Sequence, residues 1–300
     1  MNENPTFQNI DEAIQVVLKS VQSPNTKRAY SRALVDFRNW YTQQGQELSK
    51  ALVQKYASEL LNNGMDAANI NQRLTAIRKL VEESADNGGI DPVIAAGILR
   101  VKGLKREGKR LGNWLTMQQA QELLDAPDTS TLKGKRDRAL LAVLLGCGLR
   151  REEAAALTFE HIQQRDGRWV IVDLVGKRNK IRSIPMAAWT KAAIDRYSEA
   201  AGIKTGIIFR RIRRGDHLAG EKMTAQAIYY TVIEYARPLK YNLAPHDCRR
   251  TFAKLARAGG APIEQIQYSL GHDSIRTTEI YLGVFQNLLD APCDHLGIGV

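Results

Sequence analysis

Four short stretches of the chain carry charged and titratable side chains of types that could support a chemical reaction. They contain Arg150 with Glu153, Lys177, His246 with Arg249, and His272 with Tyr281. Guanidinium forks bind anionic oxygens in pairs, while imidazole, phenol and ammonium groups can accept or release protons. The chemistry they suit is therefore charge stabilisation and proton transfer, and each stretch must be weighed against an ordinary structural role.

Each stretch, taken alone, has a structural explanation. Arg150 lies between an apolar run and the next helix, where it could simply pair with Glu153, three residues further on. Lys177 could be a solvated turn residue, His246 a helix cap or surface residue, and Tyr281 a half-buried core residue. No single stretch identifies a reaction.

Local geometry could bring some of these side chains together. His246 and Arg249 are three residues apart, so a helix places them on one face, one turn from each other. Gly271 permits a sharp turn that can aim His272 away from its own helix. The remaining positioning depends on the elements that the rest of the sequence predicts.

Residues 1 to about 100 predict a compact bundle of four or five helices. Apolar residues recur at helical spacing in two stripes. The stripes contain Tyr30, Leu34, Phe37 and Tyr41, and then Ile70, Leu74, Ile77 and Leu80. Ser23 or Asn25 suits the start of the first of these helices, and Gly45 suits its end.

A basic segment follows the bundle. Its basic side chains, opposed by one glutamate, are Lys102, Lys105, Arg106, Lys109 and Arg110. Two glycines and the lack of apolar periodicity indicate a flexible linker, which is either a solvated connector or a strap that follows phosphates. The predicted boundaries are 1–100 for the helical domain, 101–112 for the linker and 113–300 for a second domain.

The second domain mixes helices with a small amount of β-structure. Thr116 suits the cap of one helix, and residues 136–149 predict a buried helix that ends at glycines. Residues 168–175 and 181–186 read as two strands on either side of a basic turn. This arrangement predicts a β-hairpin. Helices resume at Ala187 and fill the last third. The predicted fold class is therefore mainly α with a small β-sheet (α+β).

Composition limits the class of protein. The 300 residues carry 43 Lys and Arg against 32 Asp and Glu, a formal net charge of +11 that makes a polyanionic partner plausible. The hydrophobic fraction of 44% and the charged fraction of 25% exclude a wholly disordered chain. The longest strongly apolar run, from Ala139 to Leu149, is shorter than the roughly 20 residues that span a bilayer.

The N-terminus and the cysteines indicate the compartment. The N-terminal residues have neither the basic start nor the apolar core of a secretory signal. Three scattered cysteines do not form a disulfide framework. We therefore expect a cytoplasmic protein that is not attached to a membrane.

Four sequence boxes, in this order, resemble the tyrosine recombinase (phage integrase) family, and in particular its shorter Xer-like members. The boxes are GCGLRREEAAAL, VGKRNKIRSIP, HDCRRTFAKLARAGG and LGHDSIRTTEIYLG. The HxxR pattern, and the LGH followed nine residues later by Tyr281, make the match specific. The resemblance implies that residues 1–100 are the helical DNA core-binding domain. It implies that residues 113–300 are the catalytic domain, with a C-terminal segment that contacts a neighbouring protomer.

The resemblance also implies a set of active-site residues. These are Arg150, Lys177, His246, Arg249, His272 and Tyr281, with Glu153 supporting the first arginine. By resemblance, Lys177 would protonate the leaving 5′ oxygen. Arg178 stands where the family commonly has glycine, so Lys177 and Lys180 both remain candidates for this lysine.

The other roles follow from the same resemblance. Tyr281 would attack a DNA phosphodiester and form a 3′-phosphotyrosine, and His246 would assist its deprotonation. Arg150 and Arg249 would hold the non-bridging oxygens, where charge develops in the transition state. His272 would donate a hydrogen bond to one of these oxygens.

The implied reaction cleaves and rejoins DNA through a Holliday junction with no cofactor, no metal and no ATP. The implied partner is double-stranded DNA with paired inverted half-sites, bound by a dimer at each site and by a homotetramer on two sites. An accessory or partner recombinase is possible, and the C-terminal segment could pack in cis or in trans. Candidate DNA contacts are Lys27, Arg28, Arg32, Arg73, Lys102, Lys105, Arg106, Lys109, Arg110, Arg178 and Lys180.

Other functions stay open at this point. A type IB topoisomerase would use similar chemistry to relax supercoils instead of exchanging strands. A non-catalytic DNA-binding regulator could use the last helices as a helix-turn-helix. A zinc hydrolase built on His246, Cys248 and His272 is a remote alternative, because these residues show no metal-binding spacing pattern.

Overall fold

The computed structural model describes residues 10–105, 113–176 and 180–282. The chain divides into two compact units, residues 1–109 and 110–300. Helices dominate the described residues, and the strands form two small antiparallel sheets, which confirms the predicted fold class. Some predicted site residues lie outside the described residues. These are Lys177, Arg178, Arg106, Lys109, Arg110 and the C-terminal segment from residue 283.

The first unit is a helical bundle, as predicted. Its helices are α1 (Ile10–Ser20), α2 (Pro24–Gln44), α3 (Lys50–Asn62), α4 (Ala67–Asp86) and α5 (Pro92–Leu99). Both apolar stripes face its core, and among them only Tyr30 is half-buried instead of buried. The Ser23 hydroxyl accepts from the Thr26 N–H, and α2 ends at Gly45, whose φ of 61° is left-handed.

The second unit contains the remaining elements. Its helices are α6 (Met117–Asp125), α7 (Leu132–Gly146), α8 (Arg151–Ala156), α9 (Ala188–Ala201), α10 (Ala225–Ala236), α11 (Pro245–Ala258), α12 (Ile263–Leu270) and α13 (Ile275–Leu282). Its strands are β1 (Ile162–Arg165), β2 (Arg168–Val175), β3 (Ile181–Pro185), β4 (Arg210–Arg213) and β5 (His217–Lys222), and a 3₁₀ turn spans Phe159–His161.

The predicted hairpin is part of a larger sheet. Strands β2 and β3 pair antiparallel, as expected, and β1 adds a third strand in the order β1-β2-β3. A second hairpin, β4 with β5, was not predicted from the sequence. Its strand sequences, RRIR and HLAGEK, are short and rich in charge, so they lack the apolar alternation that signals a strand.

Helix α7 forms the centre of the second unit. Its residues 139–144 are completely buried. All six are apolar, so this part of the helix can be covered on every side. Helices α9 and α11 pack against it. Among the described residues, no helix is long and apolar enough to cross a membrane.

The last three helices form a smaller core beside α7. Ala253 of α11, Ile266 and Leu270 of α12, and Leu282 of α13 are buried together. Pro245 begins α11, and Gly271 ends α12 with a φ of 60°. The two histidines, the second arginine and the tyrosine of the predicted site lie on these helices or in the turn between them.

Candidate active site

Arg150 is positioned by the turn between α7 and α8. Gly148 makes this turn with a φ of 60°, and a Cβ there would lie 2.7 Å from Cδ1 of Phe252, so the position requires glycine. Arg150 then caps α8: its backbone N–H donates to Oε2 of Glu153 at 2.8 Å. Its guanidinium Nη1 donates to Oε1 of the same carboxylate at 2.7 Å. The ion pair considered from the sequence is therefore present, and it fixes the side chain.

Glu153 also binds a second arginine that sequence reasoning missed. Arg182, on β3, donates through Nη1 and Nη2 to the two carboxylate oxygens at 3.0 and 2.8 Å. Only 4% of the Glu153 side chain is exposed. Burial acts to raise the pKa of this carboxyl, but Arg182 and Arg150 outweigh that effect and lower it, so Glu153 is ionised at neutral pH.

Arg249 lies beside this pair, almost completely buried on α11. Its Nη1 donates to the carbonyl of Gly148 at 2.6 Å, and its Nη2 donates to the carbonyl of Leu270. Nη2 of Arg150 donates to the same Leu270 carbonyl at 3.5 Å. Burial, and then the charge of Arg150, lower the pKa of Arg249, which still stays protonated at neutral pH. One carbonyl therefore orients both guanidiniums without neutralising them.

His272 follows the left-handed residue Gly271. A Cβ on Gly271 would lie 2.9 Å from Cδ of Arg182, so this glycine also permits close approach of the arginine. The Nδ1 atom of His272 lies 2.9 Å from the hydroxyl oxygen of Thr278. Burial and the charge of Arg249 lower the pKa of His272 to about 4, so the ring is neutral at pH 7.

Tyr281 lies between the two histidines. Its ring meets the His246 ring edge-on at 5.6 Å between centroids and the His272 ring at 5.3 Å. Its hydroxyl lies 3.4 Å from Nε2 of His246 and donates to the His246 carbonyl at 3.3 Å. Burial raises the pKa of Tyr281, and Arg249 opposes part of that rise. Burial and Arg249 lower the pKa of His246, which leaves it able to accept a proton.

The family of the chain is given by two sequence models. The model described as "Phage integrase family" matches residues 113–287, and the "Phage integrase, N-terminal SAM-like domain" matches residues 15–87. The first match alone covers more than half of the chain. The chain belongs to the phage integrase family. The resemblance stated from the sequence boxes is confirmed.

Curated members of this family match the chain over most of its length. Tyrosine recombinase XerD of Pseudomonas aeruginosa is 28% identical over 86% of this chain and 86% of its own. Tyrosine recombinase XerD of Haemophilus influenzae is 29% identical over 89% of this chain and 90% of its own. Tyrosine recombinase XerC of Thermodesulfovibrio yellowstonii is 25% identical over 90% and 89%.

Solved structures show the same fold. XerH site-specific recombinase, bound to palindromic difH substrate in a post-cleavage complex, superposes with a TM-score of 0.70 at 18% identity. That match covers 96% of this chain and 88% of the other. A lambda integrase dimer bound to a COC′ core site gives a TM-score of 0.67 at 15% identity, over 91% and 75%.

The structure brings five of the six predicted active-site residues of this phage integrase family member together. They are Arg150, His246, Arg249, His272 and Tyr281. Arg150, His246 and Arg249 line one cleft, and Arg150 and His272 line a second cleft together with Lys180 and Arg182. The sixth residue, Lys177, lies outside the described residues. Their roles stay predictions.

Lys180, the alternative lysine, is described and lies on the sheet side of the second cleft. Its ammonium forms an ion pair with Asp273, the residue after His272. Both side chains are more than half exposed, so this contact is weakly held. Lys180 therefore lies near the cluster, but its ammonium group is already paired with the Asp273 carboxylate.

Arg250 is a second residue that sequence reasoning missed. Its guanidinium lies 4.9 Å from the centroid of the Tyr281 ring, and it donates to Asp247 at 3.3 Å. Asp247 is fixed in turn, because it accepts from the Ala244 N–H at the start of α11. Arg250 is visible in the sequence as the second arginine after HDC. Its contact with Tyr281 could not be predicted there, because it depends on how α11 and α13 pack.

Cys248 lies on another side of α11 and does not join the cluster. It is completely buried in the main core, where burial raises the pKa of its thiol to about 12. The described residues contain no group of His, Cys, Asp or Glu side chains arranged to hold a metal ion. The zinc hydrolase considered from the sequence therefore lacks Cys248, the second of its three proposed ligands.

The candidate DNA contacts of the first unit differ in how free their charges are. Lys27, Arg28 and Arg32 are exposed on the first turns of α2, and Lys102 and Lys105 are exposed after α5. Arg73 is different: its side chain is 16% exposed and pairs with Asp36 at 2.7 Å. As DNA contacts, all of these residues remain predictions.

Proposed function

We propose that this chain is a site-specific DNA recombinase that cleaves and rejoins strands through a covalent bond between Tyr281 and DNA. The observation that carries the proposal is the meeting of a tyrosine hydroxyl, two neutral imidazoles and two arginines that share one carbonyl. A protein that only binds DNA has no use for a half-buried tyrosine in such surroundings. Family membership and the matches to Xer recombinases support the same activity.

Arg150 and Arg249 would bind the non-bridging oxygens of the scissile phosphate. Each guanidinium has five N–H donors in a plane, so the bonds described above leave donors free on both. Their charges act most strongly where negative charge develops during attack, which favours the transition state over the ground state. Glu153 and Arg182 would keep Arg150 in this orientation.

Tyr281 would be the nucleophile. Its oxygen forms a bond to phosphorus as the bond from phosphorus to the 5′ oxygen breaks, which leaves a 3′-phosphotyrosine and a free 5′ hydroxyl. The phenol proton would pass to Nε2 of neutral His246, 3.4 Å away in the free protein and closer once DNA orders the site. Lys177, or Lys180 as the alternative, would give a proton to the leaving oxygen.

Strand exchange would reverse this step with a different 5′ hydroxyl. The phosphotyrosine keeps the bond energy, so rejoining needs no ATP, and two successive exchanges would pass through a Holliday junction. This requires paired inverted half-sites, a dimer on each site and a tetramer on two. We assign residues 1–100 to DNA core binding, 101–112 to a basic linker and 113–300 to catalysis, in a cytoplasmic protein.

A nicked DNA half-site that traps the covalent intermediate tests the chemistry. We expect the wild type to form a protein–DNA adduct that survives denaturation, and Tyr281→Phe to form none while it binds DNA equally well. Tyr230→Phe, at an exposed tyrosine of α10, is the matched control and should keep the adduct. An undiminished adduct in Tyr281→Phe would remove Tyr281 from this role.

A plasmid with two target sites separates the recombinase from a topoisomerase. We expect deletion or inversion between the sites, in an orientation that depends on how they are arranged. Relaxation of supercoils without either product would favour the topoisomerase. Binding without adduct, relaxation or exchange would favour the regulator.

A further inference from the structure

Thr278 is the hydrogen-bond partner of the Nδ1 atom of His272. It lies on α13, three residues before Tyr281, and is completely buried. Its hydroxyl oxygen is 2.9 Å from Nδ1 of His272.

The direction of this hydrogen bond depends on where the hydroxyl hydrogen of Thr278 can go. Thr75, Thr231 and Thr251 each donate to the carbonyl four residues earlier, at 2.8, 3.1 and 2.9 Å. Thr278 makes no such bond within the described residues, where His272 Nδ1 is its hydrogen-bond partner. A buried hydroxyl hydrogen without an acceptor costs about 1–3 kcal/mol. The hydroxyl therefore donates to Nδ1.

The protonation of His272 follows from this direction. A neutral imidazole carries one N–H, and a nitrogen that accepts a hydrogen bond cannot be the one that carries it. Burial and Arg249 keep this ring neutral at pH 7 by lowering its pKa to about 4. The proton must then be on Nε2, the nitrogen that Thr278 leaves free.

We propose that Thr278 is a positioning residue that fixes His272 as the Nε2–H tautomer, so that His272 can donate to the scissile phosphate. This inference rests on the proposed function for its purpose, although the tautomer itself does not. Because Thr278 and Tyr281 are three residues apart on one helix, a single element carries the nucleophile and sets the histidine beside it.

Three variants of the full chain test the proposal. Thr278→Val removes the hydroxyl at nearly constant shape, and Thr278→Ser keeps a hydroxyl. Thr277→Val makes the same change one residue earlier, at an exposed position, and is the matched control. The tautomer is measured by long-range ¹⁵N–¹H correlation on histidine-labelled protein, and His272→Gln identifies the signal among the five histidines.

We expect the Nε2–H tautomer in the wild type, Thr278→Ser and Thr277→Val, and a mixture of tautomers in Thr278→Val. With the nicked DNA half-site, cleavage by Thr278→Val should fall about 10- to 100-fold, less than complete loss of a preorganised donor, with DNA affinity unchanged. Thr278→Ser should restore cleavage, which a packing defect from the lost methyl group would not allow.

Several results would overturn the inference. An Nδ1–H tautomer or a doubly protonated ring in the wild type contradicts the assigned hydrogen bond. A changed tautomer with undiminished cleavage contradicts its purpose. If the wild type forms no adduct at all, the proposed function fails, but the tautomer of the free protein still tests the role of Thr278.

Discussion

Two adjacent glutamates provide a direct test of how the site is held together. Glu152 and Glu153 are identical in type, but 52% of the first side chain is exposed against 4% of the second. Glu152 pairs with Arg151, whose side chain is 39% exposed, whereas Glu153 binds Arg150 and Arg182. Replacing each in turn by glutamine removes one negative charge and leaves the shape of the side chain unchanged.

The expected cost of Glu153→Gln follows from the donors around it. The carboxylate accepts four N–H groups, at 2.8 and 2.7 Å from Arg150 and at 3.0 and 2.8 Å from Arg182. Glutamine turns an NH₂ group toward these donors and leaves Arg182 buried without its counter-charge. Breaking a buried ion pair costs about 3–5 kcal/mol, and we expect about 3 because Arg150 is partly solvated. Glu152→Gln should cost about 0–1 kcal/mol.

Urea unfolding followed by tryptophan fluorescence measures this difference in the whole protein. Trp114, Trp169 and Trp189 lie in the second unit and only Trp40 in the first, so the signal reports mainly the affected unit. The two units need separate transitions in the fit, because a two-unit chain does not have to unfold in one step. We expect a lower midpoint for Glu153→Gln and a nearly unchanged one for Glu152→Gln.

The pH dependence gives the same test a second criterion. The pKa of Glu153 is lowered in the folded protein, so its contribution is complete above the ordinary carboxyl pKa and is lost as pH falls through the folded value. The stability gap between wild type and Glu153→Gln should be full at pH 7 and should shrink only below about pH 4. Equal stabilities of the two glutamine variants at pH 7, or a gap that stays constant into acid, would refute the reasoning.

Two further predictions concern the nucleophile and DNA affinity. Arg250→Gln removes a cation that lowers the pKa of Tyr281, so the rise of cleavage rate with pH should move to higher pH. Cleavage of the nicked half-site from pH 6 to 10 tests this, with Arg250→Lys as the charge-retaining control, and an unchanged profile would contradict it. Lys27→Gln should reduce the slope of log affinity against log salt by about 0.9, because exposed Lys27 would release one counterion. Arg73→Gln should reduce it less, because Asp36 already pairs with that charge; equal losses in filter binding would count against the distinction.

Features that depend on local spacing could be predicted from the sequence. The start of α11 at Pro245 and the pairing of β2 with β3 follow from residues that are close in the chain. His246 and Arg249 point to one site because a helix brings residues three apart onto one face. The family resemblance then gave the remaining members of the cluster, which no local pattern could have joined.

Arg182 shows why the rest could not be predicted. It contacts Glu153, 29 residues earlier, and the carbonyl of Ser269, 87 residues later. Its strand reads apolar, basic, polar, apolar, but Ile181 is 66% exposed while Arg182 is largely covered. Burial alternates along β3, with Arg182 and Ile184 on the covered face, but which face is covered depends on how β3 pairs with β2 and on what lies over the sheet. No single-strand pattern contains that information.

The charges around Arg182 also explain how the site could favour reaction over binding. Arg150, Arg182 and Arg249 contribute three positive charges, and Glu153 contributes one negative charge, so 3 − 1 leaves a surplus of two. The Leu270 carbonyl orients two of these guanidiniums and is itself neutral. In the proposed reaction, bound DNA brings one negative charge to this point, and attack by the tyrosine oxygen, whose proton passes to His246, adds a second at the phosphorus group. The surplus of these four side chains is therefore matched by the charge on the phosphorus group in the transition state and not in the ground state, while the proton held by His246 lies outside this sum. Such a match is the condition for accelerating strand cleavage and not merely binding DNA.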